Sequence, residues 1–471
     1  MRGERAFRAS LTGGFFMAGQ APVVSAAVDS DAAGYPNQTY AWYVVSVICV
    51  GYIFAFIDRI VVGLLTTAIQ KDLLLTDTQM GVLQGIAFAL FYALFGIPIG
   101  WLVDRWNRKT ILTIGMTVWS VMTAACGFAG TFWTFFFARV GVGIGEATLN
   151  PCASSIIGDY FPAKTRAKAF GVYVMGTAIG TGMTYVGGGI VFGFLAKYQV
   201  VDITFFGEMK PWEAMFLFVG LGGLIPALIF FFTVKEPVRK DLAAKNKGNA
   251  SWDEIKAFFK LNRRALICHH VGICLVIMSI YAWVNWMAVY FDRIHGWGPA
   301  KFAITYGIPG LFMGVISALS CGWIAMKLKE RGKIDGTMRT CLYGCIGVVV
   351  GGVIAPQMPT PELAIAVFVL TGLFSNYPSV LALTSITEIT PNEMRGFVTS
   401  TYIFMVGLIA SGLGPLLTGL VTDKIFGDKM QIANSLSLVT IITGTAGCLI
   451  IAYGMKGYRE SLARVTWGKQ K

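Results

Sequence analysis

Gly100-Trp101-Leu102-Val103-Asp104-Arg105-Trp106-Asn107-Arg108-Lys109 is a charged loop set between two apolar runs. The flanking runs, roughly 79–103 and 110–130, each reach about the 20 residues an α-helix needs to cross a bilayer. The glycine permits close approach of two helices. Asp104, at a helix end, can cap the N-terminus of a neighbouring helix. Arg105, Arg108 and Lys109 mark one side of the membrane. The stretch therefore predicts a transmembrane helical hairpin with a latch at its tip.

The rest of the chain repeats that pattern. Of its 471 residues 55% are hydrophobic and 13% charged, against roughly 25% charged in soluble domains. The apolar runs are far longer than the roughly ten-residue strands of a membrane β-barrel. About twelve spans follow, near 42–68, 79–103, 110–130, 132–157, 167–195, 213–234, 264–291, 302–326, 338–357, 362–388, 397–421 and 433–455. With the N-terminus in the cytoplasm, about 29 of the 38 Lys and Arg lie on that side and about seven on the other. Both termini are then expected in the cytoplasm. The net charge of +13 reads as topology, not nucleic-acid binding. The nine cysteines show no metal-ligand or disulfide spacing. No nucleophile elbow or metal-binding pattern suggests an enzyme, and no cofactor is expected.

The organisation expected is a tail (1–41), a six-helix half (42–234), a basic linker (235–263), a second six-helix half (264–456) and a tail (457–471). Arg2, Arg5 and Arg8 before a weak apolar run make a poor signal peptide, so residues 1–41 read as a cytoplasmic tail. In the linker, Ser251-x-x-Glu254 is a capping box ahead of Trp252, Ile255, Phe258 and Phe259, the pattern of a short amphipathic helix on the inner leaflet. The halves echo each other. Asp159-x-x-Pro162-x-x-x-Arg166 matches Glu388-x-x-Pro391-x-x-x-Arg395, and Gly100-Trp101-Leu102 matches Gly322-Trp323-Ile324. Met326 stands where the second copy would carry Asp104, so the latch is one-sided. Transporters built from such repeats bind substrate where the repeats meet.

Four charges lie inside spans: Asp58 and Arg59 in the first, Arg139 and Glu146 in the fourth. Charges at that depth cost several kcal/mol unless paired or facing a wet cavity. Seven residues put Arg139 and Glu146 on one helix face, two turns apart, and Gly141, Gly143 and Gly145 between them allow tight helix packing. The bland alternative is a set of structural salt bridges.

The loop at 100–109 resembles the signature of the major facilitator superfamily, G-x-L-x-D-R-x-x-R-K. On that resemblance Gly100, Asp104, Arg105, Arg108 and Arg166 form a conformational latch on the cytoplasmic side. Within that superfamily the chain resembles the Spinster family. The resemblance rests on Gly51-Tyr52-Ile53-Phe54-Ala55-Phe56-Ile57-Asp58-Arg59, on Arg139-x-x-x-Gly143-x-Gly145-Glu146-Ala147, on Asp159-Tyr160-Phe161 and on Val234-Lys235-Glu236-Pro237; it covers the first half well and the second weakly. It implies an all-α membrane protein of two pseudo-symmetric halves, a cavity lined by the four charges, and transport of lysophospholipid or sphingosine-1-phosphate with protons. Arg59, Arg139 and Glu146 are then substrate-binding candidates, and Asp58 and Glu146 proton-coupling candidates. An Asp-Arg pair in span one also serves carriers of organic anions, so a proton symporter of a sugar acid stays open, as does a non-transporting receptor or scaffold. A monomer in the bilayer is expected, with no nucleic-acid partner.

Other features carry less. His269 and His270 read as interface residues. Asp292 and Arg293, at the outer end of span seven, read as loop solvation in preference to an outer gate pair, and Asn376-Tyr377-Pro378, which breaks span ten, as an ordinary proline kink in preference to a hinge. Tyr281, Trp283, Trp286, Phe374 and Tyr377 could line an acyl-chain groove, though helix packing accounts for any one of them.

Overall fold

A computed structural model describes residues 35–239 and 251–468; the tail before residue 35 and the centre of the linker lie outside them. Eleven helical segments among these residues are long and apolar enough to cross a membrane. In chain order the helices are α1 (Gln38–Leu73), α2 (Asp77–Gln84), α3 (Ile86–Val103), α4 (Arg108–Cys126), α5 (Phe132–Glu146), α6 (Leu149–Tyr160), α7 (Ala163–Met183), α8 (Gly189–Leu195) and α9 (Pro211–Thr233) in the first half. After the linker come α10 (Trp252–Leu261), α11 (Arg263–His295), α12 (Pro299–Glu330), α13 (Gly336–Ile354), α14 (Pro361–Ile389), α15 (Arg395–Met405), α16 (Ser411–Leu420), α17 (Ile432–Val439) and α18 (Thr445–Gly468). π-helical turns join α7 to α8, α15 to α16 and α17 to α18. A small hairpin, β1 (Val201–Ile203) and β2 (Gly207–Met209), lies between α8 and α9.

The fourth expected span, 132–157, is not one continuous helix. It is α5 followed by α6, broken at Ala147-Thr148. Pro151 has no N–H to offer the carbonyl of Ala147 and its ring crowds that carbonyl; Thr148 Oγ1 turns back to donate to Gly145 O at 2.8 Å. Span ten differs the other way: α14 runs unbroken through Asn376-Tyr377-Pro378. Span two is divided at Gly85, where a Cβ would stand 2.2 Å from Gly412 O of span eleven. Only glycine permits that approach.

Alternate spans end on the same side. One face carries the start of α1 and the ends of α3, α6, α9 and α12; we call it the terminal face, and the opposite one the far face. Three apolar cores show how the halves meet. One holds only first-half residues, among them Val44, Trp119, Ile156 and Phe230. A second holds only residues from 258 onward, among them Ile277, Cys345 and Leu381. The third mixes both halves, with Leu65, Phe135 and Trp212 against Trp286, Phe291 and Phe302. This shared core lies toward the far face, so the halves are joined there and have separate cores toward the terminal face.

The expected repeat is visible in side-chain detail. Arg166 Nε donates to Phe161 O and Arg395 Nε to Thr390 O, each five residues back. The linker helix α10 carries its capping box, with Glu254 N donating to Ser251 Oγ and Ser251 N to Glu254 Oε2. Trp252 and Phe259 both stack edge-on against Phe397 at the start of span eleven, which fastens α10 to the second half.

Candidate functional site

The four buried charges pair crosswise. Arg59 Nη2 lies 2.6 Å from Glu146 Oε2, and Arg59 Nε donates to the same oxygen at 2.7 Å. Arg139 Nη1 donates to Asp58 Oδ2 at 3.2 Å, and Thr123 Oγ1 to Asp58 Oδ1 at 2.8 Å. Asp58 and Arg59, adjacent in sequence, do not pair with each other. Successive helical residues point about 100° apart, so each reaches a different residue of α5. The glycines expected to admit close packing do so. A Cβ on Gly143 would stand 2.7 Å from Phe88 O, and one on Gly145 2.6 Å from Trp119 N.

The two arginines differ in access. The Arg59 side chain is 24% exposed, whereas Arg139, Asp58 and Glu146 are 1%, 2% and 0% exposed. Three rings surround the Arg59 guanidinium, with centroids 4.7 Å away for Phe88, 5.1 Å for Tyr92 and 5.2 Å for Phe56. Phe88 also faces Arg139, at 5.4 Å. Tyr92 accepts from Asn150 Nδ2, and Asn150 Oδ1 accepts from Tyr173 OH, whose ring stacks on Tyr52 at 4.5 Å. Glu146 Oε1 and Arg139 Nε have no protein hydrogen-bond partner. The Arg59–Glu146 pair thus offers an anion a cation within reach, beside a carboxyl that can hold a proton.

The spans of the second half carry no formal charge. No Asp, Glu, Lys or Arg occurs in 265–291, 302–326, 340–361, 363–387, 396–422 or 430–455. Among their polar side chains, Ser320 Oγ lies 3.0 Å from Tyr377 OH and Asn376 Nδ2 donates to Gly314 O at 2.9 Å. Trp283 and Trp286 are buried and spend their N–H groups on Thr440 Oγ1 and Pro415 O, so both serve helix packing. His269 and His270 are buried, bonded to Ala382 O and Leu266 O.

The residues expected to form a latch make contacts within the first half and to the start of the linker. Arg108 reaches Asp159, Ser155, Pro237 O and Glu236, the last at 2.7 Å, while Lys109 N donates to Glu236 Oε2 at 2.8 Å. Three stretches separate in sequence thus meet at one buried guanidinium. Arg239 donates to the carbonyls of Val103, Asp104 and Trp106. Arg105 lies over Trp101 at 4.2 Å, and Arg166 donates to Gly158 O at 2.8 Å. A Cβ at Gly100 would meet nothing within 4 Å, so the close approach expected there is not made in this conformation.

Arg293, read from sequence as loop solvation or as part of an outer gate pair, joins the two halves at the far face. It grips Asp77 of span two with two bonds, of 2.6 and 2.7 Å, and donates to Gln70 Oε1 at 2.8 Å. From span eleven, Asp423 Oδ2 accepts from Thr78 N at 2.6 Å and Oδ1 from Asp77 N at 3.3 Å, capping α2 across the halves. A side chain and a helix terminus 345 residues apart in sequence gave no local signal. The only sequence cue was that Asp77 follows Thr76 in a Thr76-x-x-Gln79 capping box.

A family model for the Major Facilitator Superfamily matches residues 48–415. Among solved structures, a bacterial homolog of the human lysosomal transporter Spinster, in an inward-facing and unoccupied conformation, superposes with a TM-score of 0.76 at 26% identity, covering 91% of this chain and 98% of that one. Protein spinster homolog 1 of Xenopus tropicalis is 30% identical over 244 residues, half of this chain and 43% of that protein. The hexuronate transporter of Bacillus subtilis is 24% identical over 379 residues, 78% of this chain and 85% of that protein.

Proposed function

The chain belongs to the major facilitator superfamily and is a multi-pass membrane transporter, and from that premise we propose that it moves an anionic single-chain lipid by proton-coupled alternating access. The observation that carries this reading is the asymmetry between the halves: an accessible Arg59 in an aromatic box in the first, and spans without a formal charge, a neutral wall, in the second. A phosphate head takes the guanidinium through parallel charge-assisted bonds. A small, fully hydrophilic anion leaves the neutral wall unused. An acyl chain matches it, and the seam between spans five and eight gives that chain a way to the lipid. Close contacts there run from Gly193–Ala300 to Gly182–Leu311. Beyond them, toward the terminal face, Val174 and Met175 on span five and Val315 and Leu319 on span eight are exposed apolar side chains.

Coupling follows from the pairing. Ionised Glu146 holds Arg59; protonation removes the charge that competes with the phosphate for it. Asp58 plays the same part toward Arg139, which is buried and orients the layer. The terminal face is cytoplasmic, in the cell membrane, by the excess of Lys and Arg there. Purified protein in liposomes, given labelled lysolipid and an imposed pH gradient, tests the reading. Flux that exceeds empty vesicles, and competition by long acyl chains, are expected; no lysolipid flux sinks the lipid assignment. A hexuronate-like substrate remains the second reading, favoured by the likeness to the Bacillus subtilis transporter; sugar-acid flux insensitive to acyl chains would establish it.

A further inference from the structure

Between the far-face gate and the charge layer lies a polar group that neither uses. Three helices present polar side chains in register along one seam. On α1 these are Arg59, Thr66 and Gln70, spaced seven and four. On α2–α3 they are Asp77, Gln84 and, past Phe88, Tyr92. On α11 they are Tyr281, Asn285 and Arg293. Such spacings keep side chains on one helix face. The seam therefore descends from the gate at Asp77–Arg293 to Arg59, with Gln84 in its middle.

Gln84 is 6% exposed. Its Nε2 donates to Thr66 Oγ1 at 2.6 Å and lies 3.5 Å from Asn285 O of the other half. Its Oε1 has no donor among the described residues. Gly63 sits beside Asn285, where a Cβ would be 3.1 Å from its Cα, so spans one and seven touch at this level. A buried acceptor without a donor loses its hydration without compensation. Opening the far face parts spans one and seven and lets water reach that carbonyl.

We propose that Gln84 is a positioning residue for transport: its unpaired carbonyl opposes closure of the far face and keeps the closed and open forms near balance. The charged gate above it favours closure. Without an opposing term the shared apolar core and the Arg293 grip would hold the far face shut, and turnover would stall. Leucine at this position relieves the cost in the closed form and exposes apolar surface in the open one, so both effects push toward closure.

The test needs neither substrate nor gradient, so it stands apart from the lipid and proton assignments. Spin labels at Thr204 and Pro359, on exposed far-face loops of the two halves, report the far-face distance in the purified full chain. Arg293→Ala weakens the gate and brings both distances into view. Adding Gln84→Leu is expected to lower the ratio of long to short distance about tenfold, as about 1.4 kcal/mol does. An unchanged or increased ratio overturns the proposal, the latter by showing that the amide clamps the face shut. An Arg293→Ala protein with only the short distance also overturns it, because no balance is then being held. Gln84→Asn, which keeps an amide, is expected to stay within threefold of glutamine, separating the carbonyl from a loss of fold.

Discussion

Arg293, near the end of span seven, holds both carboxylate oxygens of Asp77, at the start of span two, at 2.6 and 2.7 Å. One residue belongs to each half, and the carboxylate is fully buried. Two parallel bonds fix geometry as well as charge, so this contact sets the distance between the halves at the far face.

Cutting that contact opens the far face. Breaking a buried pair by removing one partner costs about 3–5 kcal/mol, here charged against the closed form. Arg293→Ala is expected to raise the share of the long far-face distance severalfold over that of the unmodified protein. Arg293→Lys, with one ammonium against two oxygens, should fall between. Spin-label distances across the far face measure both.

Asp423 contributes a smaller share. A helix cap is worth about 0.5–2 kcal/mol, and this one reaches from span eleven to the first turn of α2. Asp423→Ala is expected to raise the open-to-closed ratio roughly eight-fold, at the middle of that range, without changing the melting temperature of either half. The same distance measurement decides it; an effect as large as that of Arg293→Ala would show that the cap carries the gate.

The exposed and the buried arginine should respond differently. Arg59→Lys loses the planar fork that fits a phosphate and is expected to weaken lysolipid binding at least tenfold in isothermal titration, with little loss of thermal stability. Arg139→Ala leaves Asp58 unpaired within a span and should lower the melting temperature sharply. Equal stability losses for the two would mean that both pairs are structural.

On the proposed coupling, Glu146 sets the pH response of the Arg59 site. In the unmodified protein, acidification is expected to protonate Glu146 and free Arg59, so affinity for an anionic lipid should rise as pH falls. Glu146→Gln mimics the protonated form: affinity is expected to be high and flat with pH, and gradient-driven flux lost. Binding titrations from pH 5 to 8 check the sign. Full gradient dependence in Asp58→Asn would remove Asp58 from coupling and leave Glu146 alone in that role.

Packing at the fourth span gives a control. Gly143→Ala places a methyl 2.7 Å from Phe88 O, closer than a real Cβ contact, so the α3–α5 contact must shift. Thermal stability is expected to fall by roughly 1–3 kcal/mol, the cost of overpacking. A smaller change would mean that the first-half bundle yields there.

Much of this was written in the chain. Apolar runs of membrane-crossing length, the loop at 100–109 and the echo of Asp159–Arg166 in Glu388–Arg395 carry the fold, because hydrocarbon forces every backbone polar group to be satisfied within a helix. Asp58, Arg59, Arg139 and Glu146 were visible for the converse reason: charge in a span is costly enough to be conspicuous. Composition alone could not say which acid each base would meet. That depends on a helix rotation of about 100° between neighbours and on glycines that draw α5 against α3 and α4. The far-face gate was less legible still. Arg293, Asp77 and Asp423 sit at helix ends, where charge is ordinary, and only the approach of spans two and eleven at Gly85 and Gly412 brings their far ends together. Sequence by itself determined that this is a two-half helical membrane protein with charges in its middle, since burial cost is a property of the residue. Tertiary structure alone decided that Arg59 is accessible while Arg139 is not, and that the halves are locked at the far face, since access and contact depend on how the helices are placed.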